Sequence, residues 1–209
     1  MRVTFPRLAD HQQGYAVVER DDGVVYRMDG FTVMGADLPH DVKHLIVERE
    51  LRIGDGIFGT MAAGTVYTSM HHLRGRRPPH SADRSAELKR AQRNRIMRAE
   101  LLANLVEAVA VLHDPSQDEI RRLTRMKLSA VPIVEPGADP ADVIAAPPPE
   151  ALAAAARVLQ VEAARWARLR VGEELVYEWP PAKPSAARAL RAVPRPRDDT
   201  TFRRQPHRG

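Results

Sequence analysis

The chain has 209 residues, 44% of them hydrophobic, which is enough to bury the core of one domain. It contains no cysteine, which excludes disulfides, thiolate zinc sites and cysteine nucleophiles. The formal net charge is +5, but residues 180–209 hold eight basic and two acidic side chains, so residues 1–179 are nearly neutral, with 24 basic and 25 acidic ones. No apolar leader or spanning run of about 18 apolar residues is present, which predicts a soluble, cytoplasmic protein.

The N-terminal region has the pattern of β-strands. Residues 15–20 and 24–28 are β-prone runs on either side of an Asp-Gly turn, which favours a hairpin, and residues 2–5 predict a further strand. Because an isolated hairpin is only marginally stable in water, this ribbon has to pack on something else. Residues 174–179 also have strand character and can join the same sheet.

Between these strands the sequence predicts four to five helices, one of them long. Apolar spacing, capping residues and stops at glycine or proline place them at 38–51, 57–63, 81–113, from the capping box Ser116-x-x-Glu119 to Leu128, and 149–170. Residues 65–79 are predicted to form a loop. The expected fold class is therefore α+β, a small antiparallel sheet packed against these helices.

Two regions of different composition divide the chain. Residues 1–179 are predicted to form a single α+β domain. Residues 180–209 contain six prolines, eight basic residues and few apolar ones, so they cannot bury enough surface to fold and are predicted to be a disordered tail.

Metal-ligand chemistry and helical spacing coincide at one place, an H-D-x-x-H run formed by His40, Asp41 and His44, with Glu48 one turn later. Residues four apart share a face of a helix, so the two imidazoles can bind one ion. The pattern predicts a site for Zn²⁺ or another divalent metal, with Glu48 as a further ligand or as a group that orients an imidazole. Asp41 occupies the position of the general base in H-E-x-x-H zinc hydrolases, so it is predicted to be a base or to orient a ligand.

A third protein ligand must come from elsewhere in the chain, and the order of elements makes Asp55, His71 and His72 the candidates. The alternative is a purely structural network. Apolar residues flank the histidine and acid stripe, so these polar groups are partly buried and need partners, and His44 with Glu48 can be an ordinary pair four residues apart. The sequence leaves open whether the protein is an enzyme.

The block Leu38-Pro-His-Asp-Val-Lys-His-Leu-Ile-Val-Glu48, followed by a glycine-rich segment over 56–64, resembles a group of uncharacterised actinobacterial proteins. In these, an LPHD-x-x-H-x-x-VE helix precedes a glycine-rich turn and a second helix. The resemblance implies a fold and no particular chemistry. The H-D-x-x-H run is also similar to the zinc motif of the scaffold family of ubiquinone biosynthesis. In that family a glutamate follows twelve residues after the second histidine, where this chain has Gly56, with Asp55 adjacent.

A second functional hypothesis rests on residues 74–98, which hold nine basic and two acidic side chains, a net charge of +7. Together with the tail they predict an accessory nucleic-acid-binding or protein-interaction module, with Arg90, Arg93 and Arg98 as contact residues. The segment has no interleaved aromatic residues and no groove-reading motif, so a solvated helix face is the competing interpretation. Gly54-x-Gly56-x-x-Gly59 matches a dinucleotide fingerprint by letter, but it follows a helix instead of a strand and so does not predict a nucleotide site.

Overall fold

The computed structural model describes residues 1–9, 14–30, 38–112, 114–129, 144 and 146–180. These form a five-stranded antiparallel sheet and six helices, which confirms the α+β fold class. The predicted disorder of the tail concerns residues that lie outside this range, apart from Pro180. Among the described residues, none of the helices has the length and apolar content that a membrane span needs.

The sheet has the strand order β4-β3-β2-β1-β5. Its strands are β1 (Arg2–Pro6), β2 (Tyr15–Glu19), β3 (Val25–Asp29), β4 (Met70–Arg74) and β5 (Glu174–Glu178). The predicted hairpin is present, and Gly23 in its turn has a positive φ of 78°, which favours glycine. The C-terminal strand joins the sheet beside β1, as expected. The strand β4 lies in the segment predicted to be a loop, because only Met70 of its five residues is buried and no alternating pattern marks it.

The helices are α1 (His40–Glu50), α2 (Ile57–Ala63), α3 (Ser81–Ala91), α4 (Arg93–Val111), α5 (Gln117–Ser129) and α6 (Pro149–Arg168). The continuous helix predicted for 81–113 is instead two helices, separated at Gln92 (φ −106°, ψ 5°). The break follows burial, because α3 buries only Ser85 while α4 places a row of apolar side chains in the core. The capping box is confirmed, with Ser116 and Glu119 bonded to each other through side chain and backbone.

One hydrophobic core lies between the inner face of the sheet and the helices α1, α4 and α6. Within it α1 runs antiparallel to α4. The start of α1 is tied to the second half of α4 by Lys43 and Glu107 (2.6 Å), whereas Arg95 near the start of α4 reaches Asp55 beyond the end of α1 (3.4 Å). This pairing decides which side chains of α4 face the H-D-x-x-H run.

Candidate metal centre

The two histidines of the H-D-x-x-H run lie at the start of α1, one turn apart on the same face. Their ring centroids are 4.4 Å apart, and the two Nε2 atoms are separated by 3.3 Å. The His44 residue is 1% exposed, whereas the side chain of His40 is 36% exposed. The pair therefore has one imidazole in the core and one at the surface, so the group is open to solvent on one side.

A third ligand atom comes from α4. The Oε2 atom of Glu100 lies 3.2 Å from Nε2 of His44, and one ligand atom each of His40, His44 and Glu100 lie within 4.8 Å of one another. Glu100 is half-exposed, and the neighbouring His44 lowers the pKa of its carboxyl. Two nitrogens and one carboxylate oxygen thus converge from two antiparallel helices.

Sequence reasoning missed Glu100 and named three other residues. In the structure each of these makes a separate contact. Asp55 pairs with Arg95, His71 Nε2 lies 3.0 Å from an oxygen of Asp29, and His72 Nε2 lies 2.9 Å from the carbonyl oxygen of Gly75. The one signal for Glu100 in the sequence is an acidic residue set among apolar ones, between Ala99 and the leucines that follow.

Glu48 does not join this group, because its carboxylate is bound at the N-terminus of α2. It accepts hydrogen bonds from the backbone N–H groups of Ile57 (2.7 Å), Phe58 (3.0 Å) and, at a longer distance, Gly59 (3.5 Å). These are donors that a helix cannot satisfy internally. Burial raises the pKa of the Glu48 carboxyl to about 8, and the three backbone donors oppose that rise.

Close contacts in this turn explain two glycines of the Gly54-x-Gly56-x-x-Gly59 pattern. A Cβ atom on Gly56 would lie 2.4 Å from the carboxyl carbon of Glu48, and one on Gly59 would lie 2.1 Å from the carbonyl oxygen of Gly54. Both glycines therefore allow the turn to close around a carboxylate of the protein itself. The N–H groups at the start of α2 are therefore already bound by the Glu48 carboxylate.

Asp41 lies beside the second ring nitrogen of His40. Its Oδ1 atom is 3.9 Å from Nδ1 of His40, longer than a hydrogen bond but within the range of an ion pair. The Asp41 carboxylate raises the pKa of His40 against the opposing effect of burial. This placement suits a residue that orients an imidazole.

The Nδ1 atom of His44, unlike its Nε2 atom, has no polar partner among the described residues. This nitrogen is also buried. A bare nitrogen acceptor is easier to bury than an unpaired N–H, so in the metal-free protein the proton of a neutral His44 belongs on Nε2, where Glu100 accepts it. A metal ion at Nε2 would place that proton on Nδ1, where no described residue accepts it.

The three arginines of the second hypothesis have different surroundings. Arg90 and Arg93 are exposed, and neither makes an ion pair with a described residue. Arg98 is half-buried, and its Nε donates a hydrogen bond of 2.5 Å to the carbonyl oxygen of Ile144. Arg98 therefore has a packing role that the other two lack.

Comparison with known proteins gave no family model that matches the chain, and no significant match to a curated protein or to a solved structure. The resemblance to the actinobacterial group stays a prediction.

Proposed function

We propose that this protein binds a divalent transition-metal ion through His40, His44 and Glu100. The observation that carries the proposal is the convergence of three ligand atoms from two helices within 4.8 Å of one another, with His44 in the core. A buried imidazole that faces a second imidazole and a carboxylate needs either a shared proton or a shared cation. The same residues therefore define both the metal site and the competing structural network.

The spacing of these atoms suits a small ion. Zn–N and Zn–O bonds of about 2.0–2.1 Å in a tetrahedron place neighbouring ligand atoms roughly 3.3–3.4 Å apart. The two separations that involve Nε2 of His44, 3.3 Å to His40 and 3.2 Å to Glu100, have this length. All three ligand atoms lie within 4.8 Å of one another. Two imidazoles and a carboxylate favour Zn²⁺ or Fe²⁺ over Mg²⁺ and Ca²⁺, which prefer oxygen ligands.

Three protein ligands leave at least one coordination position for water, which makes metal-assisted hydrolysis the reaction class to screen. The residues around the ligands have distinct roles in this proposal. Asp41 orients His40 through the ring nitrogen that is not a ligand. Glu48 is bound to the backbone of α2, so it holds α1 and α2 together and does not act as a base.

The test is a calorimetric titration of metal-free protein with Zn²⁺, and with Fe²⁺ under anaerobic conditions. Glu100→Gln keeps the size of the side chain but removes the anionic ligand, and Zn²⁺ affinity should fall by at least about tenfold. The matched control is Glu107→Gln on the same helix, since Glu107 pairs with Lys43 and is not part of the ligand group. Its affinity should equal that of the wild type.

Two results would contradict the proposal. If the wild type binds neither ion at micromolar concentration, the three residues form a hydrogen-bonded network whose role is structural. If Glu100→Gln and Glu107→Gln bind equally well, any bound ion lies elsewhere. A His40→Ala, His44→Ala double variant with undiminished metal content would lead to the same conclusion.

A further inference from the structure

The charge of this protein is strongly segregated within residues 1–179. Residues 74–98 carry +7, so the remainder of that region must carry −8. In the structure the basic segment comprises the end of β4, the connection to α3, α3 itself and the first turns of α4. Positive charge is therefore concentrated on consecutive elements of the chain.

The helix at the centre of this segment is attached to the body of the protein by few contacts. Ser85 is the one buried residue of α3, and its hydroxyl bonds to both the N–H and the carbonyl of Val66 (2.9 and 3.2 Å). Lys89 donates to the same carbonyl at 3.2 Å. Most of the circumference of α3 consequently faces water.

Most of the arginines here are not neutralised by the protein. Two of them pair with acidic residues, Arg74 with Glu19 at 3.1 Å and Arg95 with Asp55 at 3.4 Å. Five others are exposed and make no ion pair with any described residue, a set that we call the basic surface: Arg76, Arg77, Arg84, Arg90 and Arg93. Because no described acidic side chain pairs with them, these charges attract ions from solution, which a polyanion would displace with a gain in entropy.

We infer that the basic surface binds the phosphate backbone of nucleic acid, independently of the metal site. The guanidinium group suits this role, because its planar fork of donors can bind phosphate oxygens in pairs. A protein partner fits less well, since within residues 73–98 only Leu73 exposes a large hydrophobic side chain that could serve as an anchor. Because the described part of the chain contains no groove-reading element, binding is independent of base sequence.

The test uses the full chain and a fluorescent DNA duplex of about 20 base pairs, with fluorescence anisotropy measured at several salt concentrations. The variant Arg84→Gln, Arg90→Gln, Arg93→Gln removes three charges from the basic surface. The matched control, Arg122→Gln, Arg125→Gln, Arg157→Gln, removes three exposed charges that likewise make no ion pair with described residues, but from α5 and α6. Both variants have the same net charge.

Wild-type affinity should fall steeply with salt. In the basic-surface variant the slope of log K against log salt should become less steep by about 2–3, and affinity at low salt should fall at least tenfold. The control should change the slope by less than about one. Equal losses in both variants, or no binding of DNA at low salt, would overturn the inference. Binding of poly-glutamate without binding of DNA would overturn it in favour of an acidic protein partner.

Discussion

Replacing Glu48 by alanine should destabilise the protein by about 4 kcal/mol. The carboxylate accepts hydrogen bonds of 2.7 and 3.0 Å from the backbone of Ile57 and Phe58, and a weaker one of 3.5 Å from Gly59. These N–H groups have no partner inside α2, so without the carboxylate each buried donor costs roughly 1–3 kcal/mol. Glu48→Gln keeps one carbonyl acceptor in nearly the same place and should cost about half as much.

The assay is urea unfolding followed by the fluorescence of Trp166 and Trp179, both of which are buried. The matched control is Glu50→Ala on the same helix, because Glu50 is exposed and its contact is the surface pair with Arg49. That substitution should change the free energy of unfolding by less than about 0.5 kcal/mol. A loss below about 1 kcal/mol for Glu48→Ala, with an unchanged dependence on urea, would refute the claim that this carboxylate stabilises the start of α2.

The wild type and Glu48→Gln should also differ in how their stability depends on pH. Burial raises the pKa of Glu48 from an ordinary 4.5 to about 8, so the folded protein keeps a proton that the unfolded chain has released. The proton that Glu48 keeps stabilises the folded state fully below the pKa of the unfolded chain. This stabilisation is lost as the pH rises towards 8, by at most about 1.4 kcal/mol per pH unit. Glu48→Gln should lack that slope. If the free energy of unfolding of the two proteins changes with pH in the same way between about pH 5 and pH 8, the backbone donors keep the carboxylate ionised.

Three further predictions follow from the structure. Gly56→Ala places a Cβ 2.4 Å from the carboxyl carbon of Glu48 and should lower the free energy of unfolding by at least about 2 kcal/mol in the urea assay. The control Gly54→Ala should change it little, because nothing lies within 4 Å of the added Cβ. Zn²⁺ affinity should fall by about tenfold or more between pH 7.5 and pH 6, because the raised pKa of His40 lets protons compete for the ligand, and calorimetry at both values checks this. The amides of α3 (Ser81–Ala91) should exchange with deuterium faster than those of α4, since α3 buries a single residue, and mass spectrometry of peptic fragments measures both.

Interactions between residues close in the chain could be predicted from the sequence alone. The hairpin follows from an Asp-Gly turn with a glycine at positive φ, and the start of α5 follows from the Ser116–Glu119 capping box. The shared face of His40 and His44 follows from the period of the α-helix, which holds wherever α1 packs. In each case the determining contacts span at most a few residues.

The tertiary structure decided which distant groups meet these elements. Glu100 follows His44 by 56 positions and reaches it because α1 and α4 pack antiparallel in one core, a register that no local pattern specifies. Glu48 has the helical spacing of a ligand, yet its carboxylate turns to α2, where three backbone donors bind it more favourably than a position beside a second carboxylate would. A side chain's spacing along its own helix determines the direction in which it points, whereas its partner depends on how the neighbouring helices pack against it.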